Sequence, residues 1–469
     1  MLSKIFKAYD VRATYPKPLD EAAAWKVGCA SGMYFKKLAA DARASAGVAL
    51  PNTVLVSRDM RPHSPSLCKA LIEGLRAAGC DVIDVGMCDT SFIYFAINHV
   101  GGIGGIQTTA SHNPANYNGF KISGPQAKPI GASTGLKEIE AIAESLGEPG
   151  SINGRGKYEE RNLWIPYRRH VLNFYVPPKS GRRLKVVIDA SNGMAGKLVP
   201  NVFSNLPGLE IIPINFEITG SFVHEPNPLV AANMKPTQDG VIRHKAAMGA
   251  CFDGDADRCI LTDEKGEIIG CDHLTAMLVD HFAKQAPGAP VVYDLRSSKA
   301  LEEAIRAHKA PPVKSRVGHV FMKAALRESG GIFGGELSGH FYFRDNFNAD
   351  SGAIAFAAVL SVLGQSDKPI SAHVAPFRQY PQSGEINFRC NDKDAAMAAL
   401  ETKYGPGAAV DKLDGVSIDA WPRQGWWFNV RASNTEPLLR LNAEAKNRTQ
   451  LDALLKELKP MLGTEDHGH

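Results

Sequence analysis

Apolar and polar positions fall in blocks along the chain, and three blocks repeat one order: apolar strand, polar loop, helix, apolar strand. The first is TVLVSRDMRP with helix SLCKALIEGLRAAG and strand CDVIDVG; the second is LKVVIDASNGMAG, a helix and LEIIPINF; the third is PVVYDLRSSKALEEAIRAHKA followed by PVKSRVG. Short β-branched runs alternating with helical period predict α/β units with largely parallel pairing. Ligand groups of such units belong at the strand ends. The C-terminal part reads differently. GEINFRC, WWFNVRAS and LLRLNAEA mix with helices DAAMAALETKY and LDALLKELKPML, which predicts a smaller α+β domain entered through the linker HVAPFRQYPQSG. The last residues, GTEDHGH, have no period and are expected to fray.

The 469 residues correspond to roughly three domains at about 150 residues each, with room for a fourth. With 44% hydrophobic and 22% charged residues, the chain can bury sizeable cores. Lys and Arg total 53 against 49 Asp and Glu; so small an excess, with no run of five like charges, argues against nucleic acid as the expected partner. The eight cysteines form no CxxC pair, which argues against a zinc site or a disulfide framework and for reduced thiols. Tyr9, Asp10 and Arg12 interrupt the N-terminus too early for a signal core, and AIAFAAVLSVL from Ala353 is too short to span a bilayer. The expected location is the cytoplasm, with no membrane partner.

Four segments carry chemistry. GGIGGIQTTASHNPANYNGFKISG sets Ser111 in a Gly- and Asn-rich loop ahead of an Asn-Gly turn and Lys121. Hydroxyls, loop amides and a cation suit a phosphate, bound or carried on Ser111, although the same residue types also build plain turns. His112 beside the serine is no evidence of a triad, which is a matter of spatial geometry. In GACFDGDADRCILTDEKGEIIG, Asp253, Asp255 and Asp257 precede Arg258. Carboxylates so close repel one another unless a cation neutralises them, and hard oxygen donors suit Mg²⁺. An EF-hand reading fails because Arg258 stands where that loop needs glycine and because strands, joined by a DEKGE turn, flank the segment. An aspartyl phosphatase using Asp253 is the alternative. GGIFGGELSGHFYF offers Glu336, Ser338 and His340, a set that hydrogen-bonds sugar hydroxyls. WWFNVRASNTEPLLRL places Arg431 before Ser433, Asn434 and Thr435, which is anion-binding chemistry. Arg12, Arg296, His319 and Lys323 are lesser anion-binding candidates.

AYDVR, TTASHNP with NGFK, DGDADR, GELSGH and RASNTEP together resemble the α-D-phosphohexomutases, in particular their bacterial phosphomannomutase/phosphoglucomutase branch. The resemblance covers nearly the whole chain. It implies four domains around a central cleft, three similar mixed α/β domains and a C-terminal α+β domain, expected at residues 1–157, 158–266, 267–374 and 375–469. It further implies that Ser111 is the phosphoserine and that Asp253, Asp255 and Asp257 hold Mg²⁺ together with Ser111. Arg258 would steer the phosphoryl group, with Arg12, Lys121 and His340 near the reacting oxygen and Lys121 and His340 as acid/base candidates. Tyr9, Arg296, His319, Glu336, Ser338 and His340 would bind the sugar phosphate, while Arg431, Ser433, Asn434 and Thr435 would hold the phosphate that is not being transferred.

The implied reaction interconverts hexose 1-phosphate and hexose 6-phosphate, of mannose or glucose, through a hexose 1,6-bisphosphate that also serves as activator. Phosphosugars are the implied partners, and the chain is expected as a monomer or weak homodimer. The sequence departs from the family at Ala13, where Gly often follows Arg12, and at Arg296, where Lys is common. GELSGH lacks the Gln typical of the phosphoglucosamine branch. A phosphoglucosamine or other phosphosugar mutase and a non-catalytic sugar-phosphate sensor are the other readings.

Overall fold

A computed structural model describes residues 2–151, 155–179, 181–433 and 438–466. The chain divides into two compact units, Met1–Ile269 with Ser338–Ser371, and Gly270–Leu337 with Ala372–His469.

The first unit contains two α/β sheets. In the first, the strand order is Val11–Thr14, Tyr117–Ser123, Gly104–Thr108, Thr53–Arg58, Asp81–Met87, Tyr158–Glu160. Its four strands from Gly104–Thr108 onward are parallel, whereas Tyr117–Ser123 runs antiparallel to both of its neighbours. The second sheet has Leu184–Asp189 at its centre, parallel to Leu209–Ile214 and Met248–Phe252, with Cys259–Thr262 antiparallel at one edge. Both sheets are therefore mixed, each with a parallel centre and antiparallel additions. The antiparallel additions carry Lys121 and flank the aspartate loop.

Asn118 and Gly119, expected as a turn, lie inside the strand Tyr117–Ser123. The cause is packing: a Cβ on Gly119 would stand 1.9 Å from the carbonyl oxygen of Val11. Only glycine lets the two strands approach here. Asn118 in turn donates to Ser64 Oγ at 2.9 Å rather than shaping a reversal.

The apolar run from Ala353 forms a helix, Gly352–Gly364, started by Ser351 accepting from the Ile354 amide and buried along almost its whole length. An all-round apolar helix of this length belongs in a protein core. Among the described residues no helix is long and apolar enough to cross a membrane. None of the eight cysteines is in a disulfide, and burial pushes thiols such as Cys68 up to about 12 and Cys80 up to about 11, which keeps them protonated.

In the second unit, Val291–Asp294 lies between Pro312–Ser315 and Phe333–Gly335, both parallel to it. The C-terminal sheet is antiparallel throughout, in the order Ala409–Asp411, Val416–Asp419, Trp426–Ala432, Leu438–Ala445, Ile386–Arg389, Thr464–Asp466. Helices Lys393–Tyr404 and Arg448–Leu462 accompany it, with Leu400, Phe428, Leu441 and Leu454 in the shared core. The expected fraying at the C-terminus is corrected for Thr464–Asp466, which pairs with Ile386–Arg389 and is fastened by Arg389 Nε to Asp466 at 3.0 Å.

The repeat leaves an atomic signature. Asp59, Asp189 and Asp294 each follow or end a central strand, and the Oδ1 of each accepts the amide two residues on: Arg61 at 3.0 Å, Ser191 at 2.9 Å and Arg296 at 2.8 Å. This is one side-chain-closed turn used three times.

Candidate functional site

Ser111 follows the strand Gly104–Thr108 at φ 51° and is 2% exposed. A left-handed non-glycine residue costs on the order of 1–3 kcal/mol and must be held by its surroundings. Thr109 Oγ1 accepts the Ser111 amide at 2.9 Å. The larger hold comes from Arg61, whose side chain is wholly buried. Its Nε donates to Asp59 Oδ2 at 3.1 Å. Nη1 donates to the carbonyls of Pro114 at 2.6 Å and Tyr117 at 3.1 Å, and Nη2 to those of Ser111 at 3.0 Å and Asn113 at 2.7 Å. All five guanidinium protons are thereby used on one loop and its anchor.

The aspartate loop leaves Met248–Phe252 and meets the serine loop directly: Ser111 Oγ donates to Asp253 Oδ2 at 3.0 Å. Gly254 permits the approach, since a Cβ there would lie 2.4 Å from the Ser111 carbonyl oxygen. Asp253, Asp255 and Asp257 are all buried and can present carboxylate oxygens within 4.8 Å of one another. Among the described residues Asp255 Oδ1 and Asp257 Oδ1 accept no hydrogen bond. Three buried hard oxygen donors beside a serine hydroxyl, two of them lacking a donor, fit a divalent cation such as Mg²⁺.

The cluster is partly neutralised by protein cations. Lys121 Nζ lies 2.7 Å from Asp255 Oδ2 and 2.6 Å from Asp257 Oδ2. Burial opposes its charge, but the aspartates hold Lys121 well above the usual lysine value, so it is a fixed cation here. Asp253 is pushed well up by burial and by its neighbours Asp257 and Asp255. Asp257 is held well down, against burial, by Lys121 and His340. Arg258 donates its amide to Asp253 Oδ1 at 3.2 Å and sets Nε 3.7 Å from Oδ2.

His340 faces the same cluster, with Nε2 3.4 Å from Asp257 Oδ1 and 3.6 Å from Asp350 Oδ2. Its Nδ1 is 2.9 Å from Ser338 Oγ, so Ser338 orients this imidazole. His112 Nδ1 is 3.3 Å from Ser111 Oγ. Burial, with Arg258, Arg12 and Lys121 nearby, keeps the His112 ring neutral. Arg12 pairs with Asp10 and donates to Asn113 Oδ1 at 2.6 Å, on the same loop. Tyr9 is partly exposed just before the strand Val11–Thr14.

The second unit holds a different set. Arg296 forks onto Asp294 through Nε at 3.1 Å and Nη2 at 3.0 Å, and Nη1 reaches Glu385 at 3.1 Å. Glu336 is buried, accepts the Gly318 amide at 3.1 Å and lies 3.8 Å from Arg296. His319 opens the helix His319–Ser329. Arg431, near the end of the strand Trp426–Ala432, is 3% exposed and donates to Glu385 at 3.0 Å. Ser433 donates its amide to the Leu438 carbonyl at 2.9 Å. Asn434 and Thr435 lie outside the described residues.

Sequence reasoning missed Arg61, Thr90, Asp350 and Glu385. Thr90 Oγ1 donates to Asp255 Oδ2 at 2.6 Å and its amide to the Asp255 carbonyl at 3.0 Å. Arg61 could have been found, because Asp59-Met60-Arg61 matches Asp294-Leu295-Arg296 at the same place in the repeat. The other three carry no local signal, since only the tertiary fold brings them to their partners.

Three α/β domains, a C-terminal α+β domain, and a serine hydroxyl set against a buried carboxylate triad define the class: a multidomain α/β protein with a hydroxyl beside a carboxylate cluster that could hold a metal ion. Sequence models of phosphoglucomutase/phosphomannomutase alpha/beta/alpha domains I, II and III match residues 3–149, 166–266 and 271–380, and that of the C-terminal domain matches residues 385–460. A phosphomannomutase of Salmonella montevideo is 38% identical over 98% of this chain and 99% of its own. The phosphohexose mutases of Xanthomonas campestris pv. campestris are 37% identical over 97% of each chain. The crystal structure of a phosphoglucomutase/phosphomannomutase family protein from Burkholderia thailandensis superposes with a TM-score of 0.86 at 30% identity, covering 98% of this chain and 97% of that one. The chain belongs to the phosphoglucomutase/phosphomannomutase family.

Proposed function

We propose that the protein is a phosphohexomutase that interconverts hexose 1-phosphate and hexose 6-phosphate, of mannose and/or glucose. The observation that carries this reading is Ser111 Oγ, 3.0 Å from Asp253 in a pocket of three buried carboxylates and Lys121. A hydroxyl so placed can carry a phosphoryl group beside a cation. Phosphorylated Ser111 transfers its group to the free hydroxyl of the substrate: the bond from phosphorus to Ser111 Oγ breaks, a bond to the sugar oxygen forms, and the hydroxyl proton passes to a protein base. The product of this step is the hexose 1,6-bisphosphate, which reorients and returns its other phosphate to Ser111. Added bisphosphate thus also primes unphosphorylated enzyme.

His340 is the base in this reading, because Lys121 is already protonated and tied to Asp255 and Asp257. Lys121 and Arg258 supply positive charge to the moving phosphoryl group, and Arg12 steadies its loop. Asp253, Asp255, Asp257 and Ser111 are the Mg²⁺ ligands, and bound Mg²⁺ would balance charge on the transferred group. Arg431 with Ser433, Asn434 and Thr435 holds the non-reacting phosphate, while Tyr9, Arg296, His319, Glu336 and Ser338 address the sugar phosphate. The domain boundaries proposed are those given above, and the setting is the cytoplasm, as a monomer or weak homodimer.

The test follows mannose 1-phosphate and glucose 1-phosphate by ³¹P NMR with Mg²⁺ and catalytic hexose 1,6-bisphosphate. The reading expects the 6-phosphates without released phosphate, and near loss of turnover in a folded Ser111→Ala protein. Net release of inorganic phosphate that survives Ser111→Ala would replace it with an aspartyl phosphatase.

A further inference from the structure

Three guanidinium groups in the second unit converge on one carboxylate that no motif contains. Glu385 immediately precedes the strand Ile386–Arg389, and its Oε2 accepts from Arg296 Nη1 at 3.1 Å and Arg431 Nη2 at 3.0 Å. Its Oε1 accepts from Arg440 Nη1 at 3.0 Å. The side chains of Arg431 and Arg296 are 4% and 8% exposed, and that of Glu385 is 26% exposed. Water can therefore reach the carboxylate more readily than Arg296 and Arg431, whereas the Arg440 side chain is 23% exposed.

Without Glu385, Arg431 has no carboxylate partner among the described residues. Arg296 is matched by its fork onto Asp294, with Glu336 3.8 Å away. Arg431 meets only Glu385 among the ion pairs formed by the described residues, and Arg440 reaches the other oxygen of the same carboxylate. Arg431 Nε, buried, has no hydrogen-bond partner among the described residues. A guanidinium with one buried N–H unused is short of an acceptor, and a phosphate offers more acceptor oxygens than one carboxylate. Burial works against the Glu385 charge, yet Arg296, Arg431 and Arg440 hold its carboxyl down at about 2, so the anion persists at any neutral pH.

We propose that Glu385 is an internal stand-in for the substrate's non-reacting phosphate, occupying Arg431 and Arg440 when no phosphate is bound and yielding Arg431 when one arrives. This rests on the reading of Arg431 as a phosphate-binding residue. It deepens that reading, because a bisphosphate that must reverse its ends has to leave this group and return to it. Released guanidiniums would otherwise sit close together without an anion, which is costly in a buried site. A built-in carboxylate lowers the cost of letting go and weakens the grip by the same amount. Glu385 is thus a positioning residue that exchanges affinity for turnover.

The experiment measures binding of inorganic phosphate to the full-length protein by titration calorimetry, for wild type, Glu385→Gln and Arg431→Gln. Wild type binds phosphate in a way that Arg431→Gln abolishes. Glu385→Gln, nearly isosteric and uncharged, binds it at least about fivefold tighter, since one competing negative charge is gone. In turnover the same variant shows a lower KM and a lower kcat, a split that a merely structural residue would not produce. Unchanged or weaker phosphate binding by folded Glu385→Gln overturns the inference while leaving Arg431 in its role. Phosphate binding insensitive to Arg431→Gln overturns the Arg431 reading itself and this inference with it. A crystal structure of wild type with phosphate bound decides the matter independently of the variant: the contact from Glu385 to Arg431 is expected to open, and its persistence overturns the proposal.

Discussion

Replacing Arg61 with Met removes the group on which the Ser111 loop hangs. Arg61 and Asp59 form an ion pair in which both side chains are fully buried, so the change strands Asp59, which keeps only the Ser64 hydroxyl and the backbone amide at residue 61. Breaking one side of a buried pair costs about 3–5 kcal/mol. Four carbonyls, at Ser111, Asn113, Pro114 and Tyr117, also lose their charged donor. Three of these, at Ser111, Asn113 and Pro114, belong to the serine loop itself, and a displacement of about 1 Å at a reacting group lowers turnover by roughly 10²-fold. Denaturant unfolding and steady-state kinetics on Arg61→Met and Arg61→Lys provide the assay. Met is expected to lose about 3–5 kcal/mol and most of kcat, with KM little changed because Arg61 does not itself face the sugar. Lys keeps the charge but cannot reach Asp59 and four carbonyls with a rigid fork, so it should recover stability more than kcat. A folded Arg61→Met protein with wild-type kcat would refute the argument that this guanidinium sets the serine.

Lys121→Met leaves Asp255 and Asp257 without their cation, so in EDTA it should unfold several degrees below wild type, and Mg²⁺ should raise its Tm more than that of wild type; equal shifts would count against the cluster as a cation site. Glu444 is pushed up to about 7 by burial, so between about pH 4.5 and 7 the folded state holds a proton that the unfolded state has released. Its contribution is therefore fully present below about pH 4.5 and fades as pH rises through 7, by roughly 3 kcal/mol in all. Glu444→Gln should flatten that slope in urea midpoints measured at pH 5 and pH 8; Oε2 accepts from the Lys299 amide and Trp427 Nε1, contacts an amide oxygen can keep. Gly254→Ala should abolish turnover and also lower the urea midpoint, because its Cβ would meet the Ser111 backbone carbonyl at 2.4 Å and must part the two buried loops; wild-type turnover in the variant would count against that approach.

How much was legible in the sequence follows from where each signal resides. Strand periodicity and turn residues lie within a few positions of each other, so the central strands and the loops bearing Ser111 and Asp253 could be read directly. Asn118-Gly119 misled because the dipeptide that favours a hairpin turn also suits a crowded strand, and the deciding atom, the Val11 carbonyl, is far away in sequence. Thr464–Asp466 was missed for a related reason: a short edge strand has almost no pattern of its own and exists because Ile386–Arg389 has a free side to pair with. Of the site, the nucleophile and acid cluster announced themselves through composition. Their supports did not, since Thr90, Asp350 and Glu385 are ordinary residues until the fold sets them against Asp255, His340 and Arg431.

The repeated aspartate turn puts one local geometry to two different uses. After Asp59 and after Asp294 the chain closes on the carboxylate in the same way, and the arginine two residues on is forced back along it. In the first domain that geometry spends every remaining donor of Arg61 on backbone carbonyls, which makes the residue a rigid fastener for the Ser111 loop. In the third domain Arg296 makes a second contact with Asp294 through Nη2 and keeps Nη1 for Glu385. The same turn thus ties Arg61 to the loop that carries Ser111 and leaves one nitrogen of Arg296 to a side-chain carboxylate. At the equivalent place in the second domain stands Ser191, whose hydroxyl bonds the Phe252 carbonyl at 2.6 Å, just before the aspartate loop. The turn is thus the same at all three places, and what differs is the partner of the residue two positions after the aspartate: loop carbonyls for Arg61, the Phe252 carbonyl for Ser191 and Glu385 for Arg296.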